Sequence, residues 1–313
     1  LSALRRQSVP RATYEVIVVN DGPVRPETRA TIERYPARFL SQPRAGAGAA
    51  RNRGAAQAQG EILLFTDADC VAERDWIEAI TAPFADETVA GVGGRIATRQ
   101  TGLVPRYVQL EYDRRYQRIA AYEQIDFVST ATAAYRRRVF ARCGGFDETM
   151  GGAEDMEFSY RLAGQGHRIV FAPQAVIYHP HPNSLWVYAR RKAHYGFWRM
   201  AVYGKHPHKA LADSRTPHTQ KLQIGLLCLL GGALIAAPLW PASLGAAALI
   251  LLLFLLLFLP FWWWTLRRDL GVGLLAPIFL FAGTAGASVG VTAGLINRWV
   301  SRLAASLPRR RTS

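Results

Sequence analysis

Glu61-Ile-Leu-Leu-Phe-Thr-Asp-Ala-Asp-Cys70 is an apolar run that ends in two aspartates one residue apart. Bounded by Gly60 and closed by carboxylates, it reads as a buried parallel strand that delivers acid at its C-terminal end. Residues i and i+2 of a strand share one face, so Asp67 and Asp69 can address one ligand. Oxygen donors of this kind suit a hard divalent cation, Mg2+ or Mn2+, carrying a diphosphate. Upstream, Tyr14-Glu-Val-Ile-Val-Val-Asn-Asp-Gly22 is a second apolar strand, ending in a turn signal. Ala45-Gly-Ala-Gly-Ala-Ala-Arg-Asn-Arg-Gly54 is a glycine-rich loop entering a helix. Downstream lie Cys143-Gly-Gly-Phe-Asp-Glu148, Gly151-Gly-Ala-Glu-Asp155, Phe158-Ser-Tyr-Arg-Leu162 and Val170-Phe-Ala-Pro-Gln-Ala-Val-Ile-Tyr-His179.

Each motif also has a plainer reading. Strand-end aspartates cap turns, and Asn20-Asp21-Gly22 is itself a strong turn sequence. Glu154 and Asp155 suit the first turn of a helix, where the dipole favours carboxylates. Arg51 and Arg53 could be exposed helix charges. Taken together, a cation-diphosphate site and a carboxylate base would move a group from an activated donor to a hydroxyl.

In this order and spacing, roughly residues 1 to 200 resemble the family 2 glycosyltransferases. The resemblance implies an α/β fold, a nucleotide-diphospho-sugar transferase (GT-A) domain built on one mostly parallel sheet between helices. It implies that Asp21 contacts the nucleotide base or ribose, that Arg51 lies against the base or diphosphate, and that Asp67 faces the ribose. Asp69 would hold the Mg2+ or Mn2+ that bridges both phosphates. Asp155 would be the general base that takes the acceptor's proton, with Glu154 as its neighbour or, one register over, the base itself. In some relatives a histidine near His179 completes the metal shell; the alternative is a polar strand-end residue. His179 and His181 lack the third ligand of a dedicated zinc site. Asp147 sits in the loop beneath the acceptor or caps the next turn. Family members open with a central strand, whereas Leu1-Ser-Ala-Leu-Arg-Arg6 already reads as the following helix. The expectation is a transferase domain at 1–180 that lacks this first strand.

Beyond it, half of the 313 residues being hydrophobic conceals a strong asymmetry. Residues 222–240, 243–266 and 271–297 carry no internal charge, and each approaches or exceeds the ~20 residues that cross a bilayer as helix. Trp240 and Trp262-Trp263-Trp264 border them like an aromatic belt. Gly283, Gly286, Gly290 and Gly294 suit close helix packing. The expectation is a membrane anchor at 222–298 with about three spans, preceded by a basic, aromatic interfacial segment at 181–221 and followed by a basic tail at 299–313. The net charge of +15 is gathered near these segments and forms no recognisable nucleic-acid reader. Arg190-Arg191-Lys192, Lys205, Lys209, Lys221 and Arg267-Arg268 favour a cytoplasmic placement beside anionic lipid. A third full span then carries Arg309-Arg310-Arg311 to the opposite side, against the charge rule, unless that segment is re-entrant. Three distant cysteines exclude a disulfide framework and fit a reducing cytosol.

The function expected is inverting transfer of one sugar from a nucleotide-diphospho-sugar to an acceptor, such as a lipid-linked saccharide, at the inner face of a plasma membrane. The alternatives are a processive polysaccharide synthase, disfavoured because Phe197-Trp198-Arg199 departs from Gln-x-x-Arg-Trp, and an inactive membrane scaffold.

Overall fold

A computed structural model describes residues 1–306, the last three by backbone alone; Arg309-Arg310-Arg311 lie outside the described residues. Two compact units emerge. The first comprises residues 1–100, 109–181 and 213–215, the second residues 101–108, 182–212 and 216 onward.

The strands are β1 (Ile17–Asp21), β2 (Arg38–Gln42), β3 (Ile62–Phe65), β4 (Val71–Ala72), β5 (Val89–Ala97), β6 (Ala133–Arg136) and β7 (Arg168–Tyr178). Helices α1 (Ser2–Arg5), α2 (Pro26–Glu33), α3 (Ala47–Gln57), α4 (Trp76–Thr81), α5 (Leu103–Ile119), α6 (Arg137–Arg142) and α7 (Glu154–Gly164) alternate with them. Then follow α8 (Leu185–Lys205), α9 (His218–Ala236), α10 (Ser243–Leu266) and α11 (Leu270–Ser306).

The α/β class holds, but the sheet differs from expectation. β1 and β2 form a parallel pair of their own, and the other strands form one sheet in the order β3-β6-β5-β7-β4. That sheet is mixed: β5 and β7 run parallel, whereas β3-β6, β5-β6 and β4-β7 are antiparallel. A strand buried on both faces has the same apolar sequence whichever way its neighbour runs, so strand direction was not legible. No ladder joins β1 to β3 among the described residues; Glu15 Oε1 links the two sheets by accepting Gln59 N at 2.6 Å.

Period-two alternation gives the larger sheet two apolar faces. Leu63, Phe65, Tyr135 and Ile169 face one core, with α6 and α7 over it. Val89, Val92, Ile96 and Ile177 face the other, under α4. Trp76 and Ile80 anchor α4 and are almost fully buried, each contributing roughly 1.5–3 kcal/mol of hydrophobic stabilisation. On the opposite face Phe65, Phe140, Phe146 and Phe158 pack with ring centroids 5.0–5.4 Å apart. Phe65 ends β3 and Phe158 lies one turn into α7. The aromatic cluster therefore fixes the strand that leads to Asp67 relative to the helix that carries Asp155.

In the second unit three helices, His218–Ala236, Ser243–Leu266 and Leu270–Leu303, are long and apolar enough to cross a membrane. The leucines of α10 are exposed around much of its circumference. Such a surface is stable in hydrocarbon and an aggregation hazard in water. The segment expected to lie at an interface is helical as α8, and it packs along the glycines of α11.

Candidate active site

Beyond the strand ends of the first unit the turn after β3 meets the end of β7, and α3, entered from β1 through the glycine-rich loop, reaches the same turn through Arg51. Asp21, the last residue of β1, is already committed to the glycine-rich loop. Its Oδ1 accepts Gln42 Nε2 (2.9 Å) and Ala45 N (2.8 Å), and its Oδ2 accepts Gly46 N (2.8 Å). These bonds, that of Gln42 foremost, hold its carboxyl below the usual range. Gly46 has φ of +98°, a conformation disfavoured for residues with a Cβ, and this bend starts α3. Of its two readings, the contacts are those of the turn residue: Asp21 shapes the loop.

Asp67 and Asp69 lie in the turn after β3 rather than within the strand, so strand alternation is not what brings them together. Cys70 N donates to Asp67 O at 3.1 Å and closes that turn. The short strand β4 then pairs with the end of β7, Val71 opposite Tyr178. Continuing that antiparallel register sets Cys70 beside His179. Ligand atoms of Asp67, Asp69, Cys70 and His179 all lie within 4.8 Å of one another. His179 Nε2 is 3.7 Å from Asp69 Oδ2. Two carboxylates and an imidazole at this spread fit one divalent cation with bonds of about 2.0–2.2 Å. Burial pushes the Cys70 thiol up to about 12, which leaves it a weak donor for a hard cation. His181 is separate from this group: it is buried, stacks on Tyr112 at 5.2 Å, and sets Nε2 3.0 Å from Gln109 Oε1.

Arg51 connects this cluster to α7. Its Nη2 donates to Asp67 Oδ1 at 2.8 Å, and its Nη1 is bonded to Glu154 Oε1. Its side chain is only 18% exposed, so both ion pairs operate in a partly desolvated setting where they are strong. Arg53, two residues on, is exposed. Glu154 is therefore already paired, whereas Asp155 Oδ1 accepts the N–H of its own neighbour Met156 at 2.8 Å. Asp155 keeps some accessible surface but is ringed by protein. Burial and the adjacent Glu154 push its carboxyl up to about 6, opposed by Arg215 and Arg51. Ala153, just before α7, is left-handed at φ of 61°, the sole non-glycine at positive φ among the described residues. Strain of this sort is worth about 1–3 kcal/mol and is kept where surrounding contacts dictate it.

Two contributors escaped the sequence reading. Asn52 accepts Phe146 N (2.8 Å) and donates to Phe146 O (2.8 Å), clamping the Cys143–Glu148 loop to α3. Asp147 itself caps the turn, accepting Thr149 N at 2.9 Å. The strap Asp213–Arg215 is the other. Ser214 N donates to Asp126 Oδ1 at 2.8 Å, Arg118 Nη2 donates to Ser214 O at 2.7 Å, and Arg215 lies 4.2 Å over the Phe127 ring. The Asn in Ala-Arg-Asn-Arg was a visible signal; nothing local marked Arg215.

With this geometry in view, a family model described as glycosyl transferase family 2 matches residues 1–144. The chain belongs to that family. A pre-mycofactocin glycosyltransferase of Mycobacterium tuberculosis is 32% identical over 244 residues, 75% of this chain and 49% of the relative. The glycosyltransferase AglE of Haloferax volcanii is 24% identical over 186 residues, 58% of this chain and 61% of that one. The chain thus spans about half the length of its mycobacterial relative. A mannosyltransferase from Pyrobaculum calidifontis, solved in complex with GDP-Man and Mn2+, shares the fold with a TM-score of 0.56 at 20% identity. That match covers 96% of this chain and 82% of the other.

Proposed function

We propose that this family 2 glycosyltransferase is a membrane-bound inverting enzyme that moves one sugar from a nucleotide-diphospho-sugar to a hydroxyl acceptor. The reading is carried by one observation: Arg51 ties the Asp67 turn to Glu154, so a cation cluster and the carboxylate Asp155 share one site. Asp67, Asp69 and His179 are the residues that would hold Mg2+ or Mn2+, as the donor set and the Mn2+-bound fold relative both suggest. A bound cation supplies charge neutralisation on the departing nucleoside diphosphate. Asp21 and the loop it holds shape the nucleotide side. Asp155 accepts the acceptor's proton as that oxygen bonds the anomeric carbon; the bond from that carbon to the diphosphate oxygen breaks, giving inversion in one step. A carboxyl at about 6 is ionised at neutral pH and is a better proton acceptor than an ordinary aspartate.

The acceptor class we favour is a lipid-linked saccharide of envelope or exopolysaccharide assembly, met at the cytoplasmic face of a plasma membrane. The apolar helices of the second unit support this, since they bring the enzyme to lipid substrates. The test is thermal shift of the detergent-purified protein against UDP-, GDP- and dTDP-sugars with Mn2+ or EDTA. Assay of nucleoside diphosphate release with lipid extracts follows, with NMR of the product anomer. Metal-dependent stabilisation by one donor and an inverted product are expected. A retained anomer, or no stabilisation by any donor, refutes the reading.

A further inference from the structure

The seam between α8 and α11 bears on which helices cross the bilayer. Cβ atoms built on Gly286 and Gly290 would strike the carbonyls of Ala189 and Ala193, and one on Gly294 would come 2.7 Å from Phe197 O. Each step of four along α11 is matched by a step of four along α8 in the same direction. From Gly283 beside Tyr188 to Arg298, whose Nη1 donates to Met200 O at 2.9 Å, the two helices run parallel with backbones touching. Small residues permit that approach. The shared length, residues 283–298, is about 24 Å.

Over that length α8 carries Arg190, Arg191, Lys192 and Arg199, ends in Lys205, and has no acidic residue of its own. So dense a set of cations is expensive inside hydrocarbon, which keeps α8 out of the bilayer core. The part of α11 welded to it stays out as well. What remains of α11 before the seam, residues 270–282, is about 20 Å long, short of the ~30 Å core. By contrast, the chain carries no charged residue between Lys221 and Arg267, the stretch that makes α9 and α10. They form a hairpin, with Ser243 Oγ donating to Ala233 O at 2.9 Å near its tip. Lys221 at its start donates to the Lys209 and Ala210 carbonyls, and Asp269 past its end is paired with Arg106.

We propose that only α9 and α10 span the membrane, and that α11 turns back along α8 as an interfacial helix. Resting on the membrane reading above, this departs from the three spans expected from hydropathy. It also eases the charge conflict, because Arg298 and Arg302 then share a side with Lys205 and Lys221. The outward face of α11 fits a lipid surface. Ile278, Phe281, Val289, Ile296, Trp299 and Leu303 are all exposed and follow one another at whole-turn helical spacings, one apolar stripe for the acyl boundary. The α8 cations supply attraction to anionic head groups.

The experiment is single-cysteine labelling of the whole chain with a membrane-impermeant maleimide, from each side of sealed vesicles, after replacing Cys70, Cys143 and Cys228 by serine. Asn183→Cys reports the α8 side, Ala242→Cys the hairpin tip, and Ser301→Cys the far end of α11; all three positions are exposed. Expected is labelling of Ser301→Cys from the Asn183→Cys side, with Ala242→Cys reached from the other. Labelling of Ser301→Cys together with Ala242→Cys overturns the proposal while sparing membrane insertion. Release of the chain by a carbonate wash overturns the membrane reading and this proposal with it. Should the cysteine-free chain fail to insert, fusions to the C-terminus of the unaltered chain decide the same point. A fluorescent protein that matures only in the cytosol should be active there, and an exported phosphatase inactive. The reverse pattern refutes two spans.

Discussion

Replacing Asp155 by asparagine should make the protein more stable and nearly inactive, and the stability gain should depend on pH. The folded environment pushes this carboxyl from 3.8 to about 6, chiefly by burial, with Glu154 adding and with Arg215 and Arg51 opposing. Tyr135 is another titratable group that feels its charge. A raised carboxyl value means the native state holds the proton more tightly than the unfolded chain. Stability is therefore greatest below the unfolded value and is lost as pH rises through about 6. Two pKa units correspond to at most about 3 kcal/mol, less whatever solvent screening the accessible edge allows. An asparagine side chain, permanently neutral, escapes that penalty. The Asp155→Asn protein should match wild type near pH 4, gain stability between pH 4 and 6, and keep a constant advantage above. Thermal unfolding in detergent at pH 4.5, 6 and 8 measures this. Turnover should fall ~10²–10⁴-fold while affinity for nucleoside diphosphate with Mn2+ stays near wild type. A variant less stable at pH 8, or one that keeps its turnover, would show that Asp155 is a helix-start residue and sink the assignment.

Three further outcomes follow from the same contacts. Asp69→Asn should abolish Mn2+-dependent nucleoside diphosphate binding in calorimetry with the melting temperature unchanged, because it removes an exposed ligand and no packing; unchanged affinity removes Asp69 from the cation site. Arg51→Lys should lose activity almost as fully as Arg51→Ala, since one ammonium cannot serve both Asp67 and Glu154; breaking such pairs costs up to about 3–5 kcal/mol where fully buried, and less here. Restored activity in the lysine variant would contradict the bridging role. Arg215→Ala should move the acid limb of kcat/KM to higher pH, because the cation that opposes protonation of Asp155 is gone; an unshifted limb with lower activity would mean that Arg215 merely packs on Phe127.

Much of this molecule could be read along the chain. The strand before Asp67, the loop before Arg51, the carboxylates at the start of α7 and the apolar helices all announce themselves by local periodicity or by turn residues. So did the plainer roles of Asp147 and Arg53, the one a matter of a nearby partner and the other of exposure. Strand direction did not, because a strand buried on both faces has no sequence mark for its neighbour's orientation. Nor did the placement of Asp67 and Asp69 in a turn, which rests on where β3 loses its ladder partner.

The sequence by itself determined the residue types of the candidate site and the order of the two units, since apolar period, glycine and carboxylate position are local properties. Tertiary structure alone decided which of those groups meet. The β4-β7 register sets Cys70 beside His179, Arg51 joins Asp67 to Glu154 rather than to Asp155, and the strap brings Arg215 to the Asp155 neighbourhood. The same holds for α11: its composition reads as a span, while only the fold shows its backbone lying against the cation-bearing α8. All of these are contacts between residues distant in the chain, and long-range contact energy leaves no trace in local pattern.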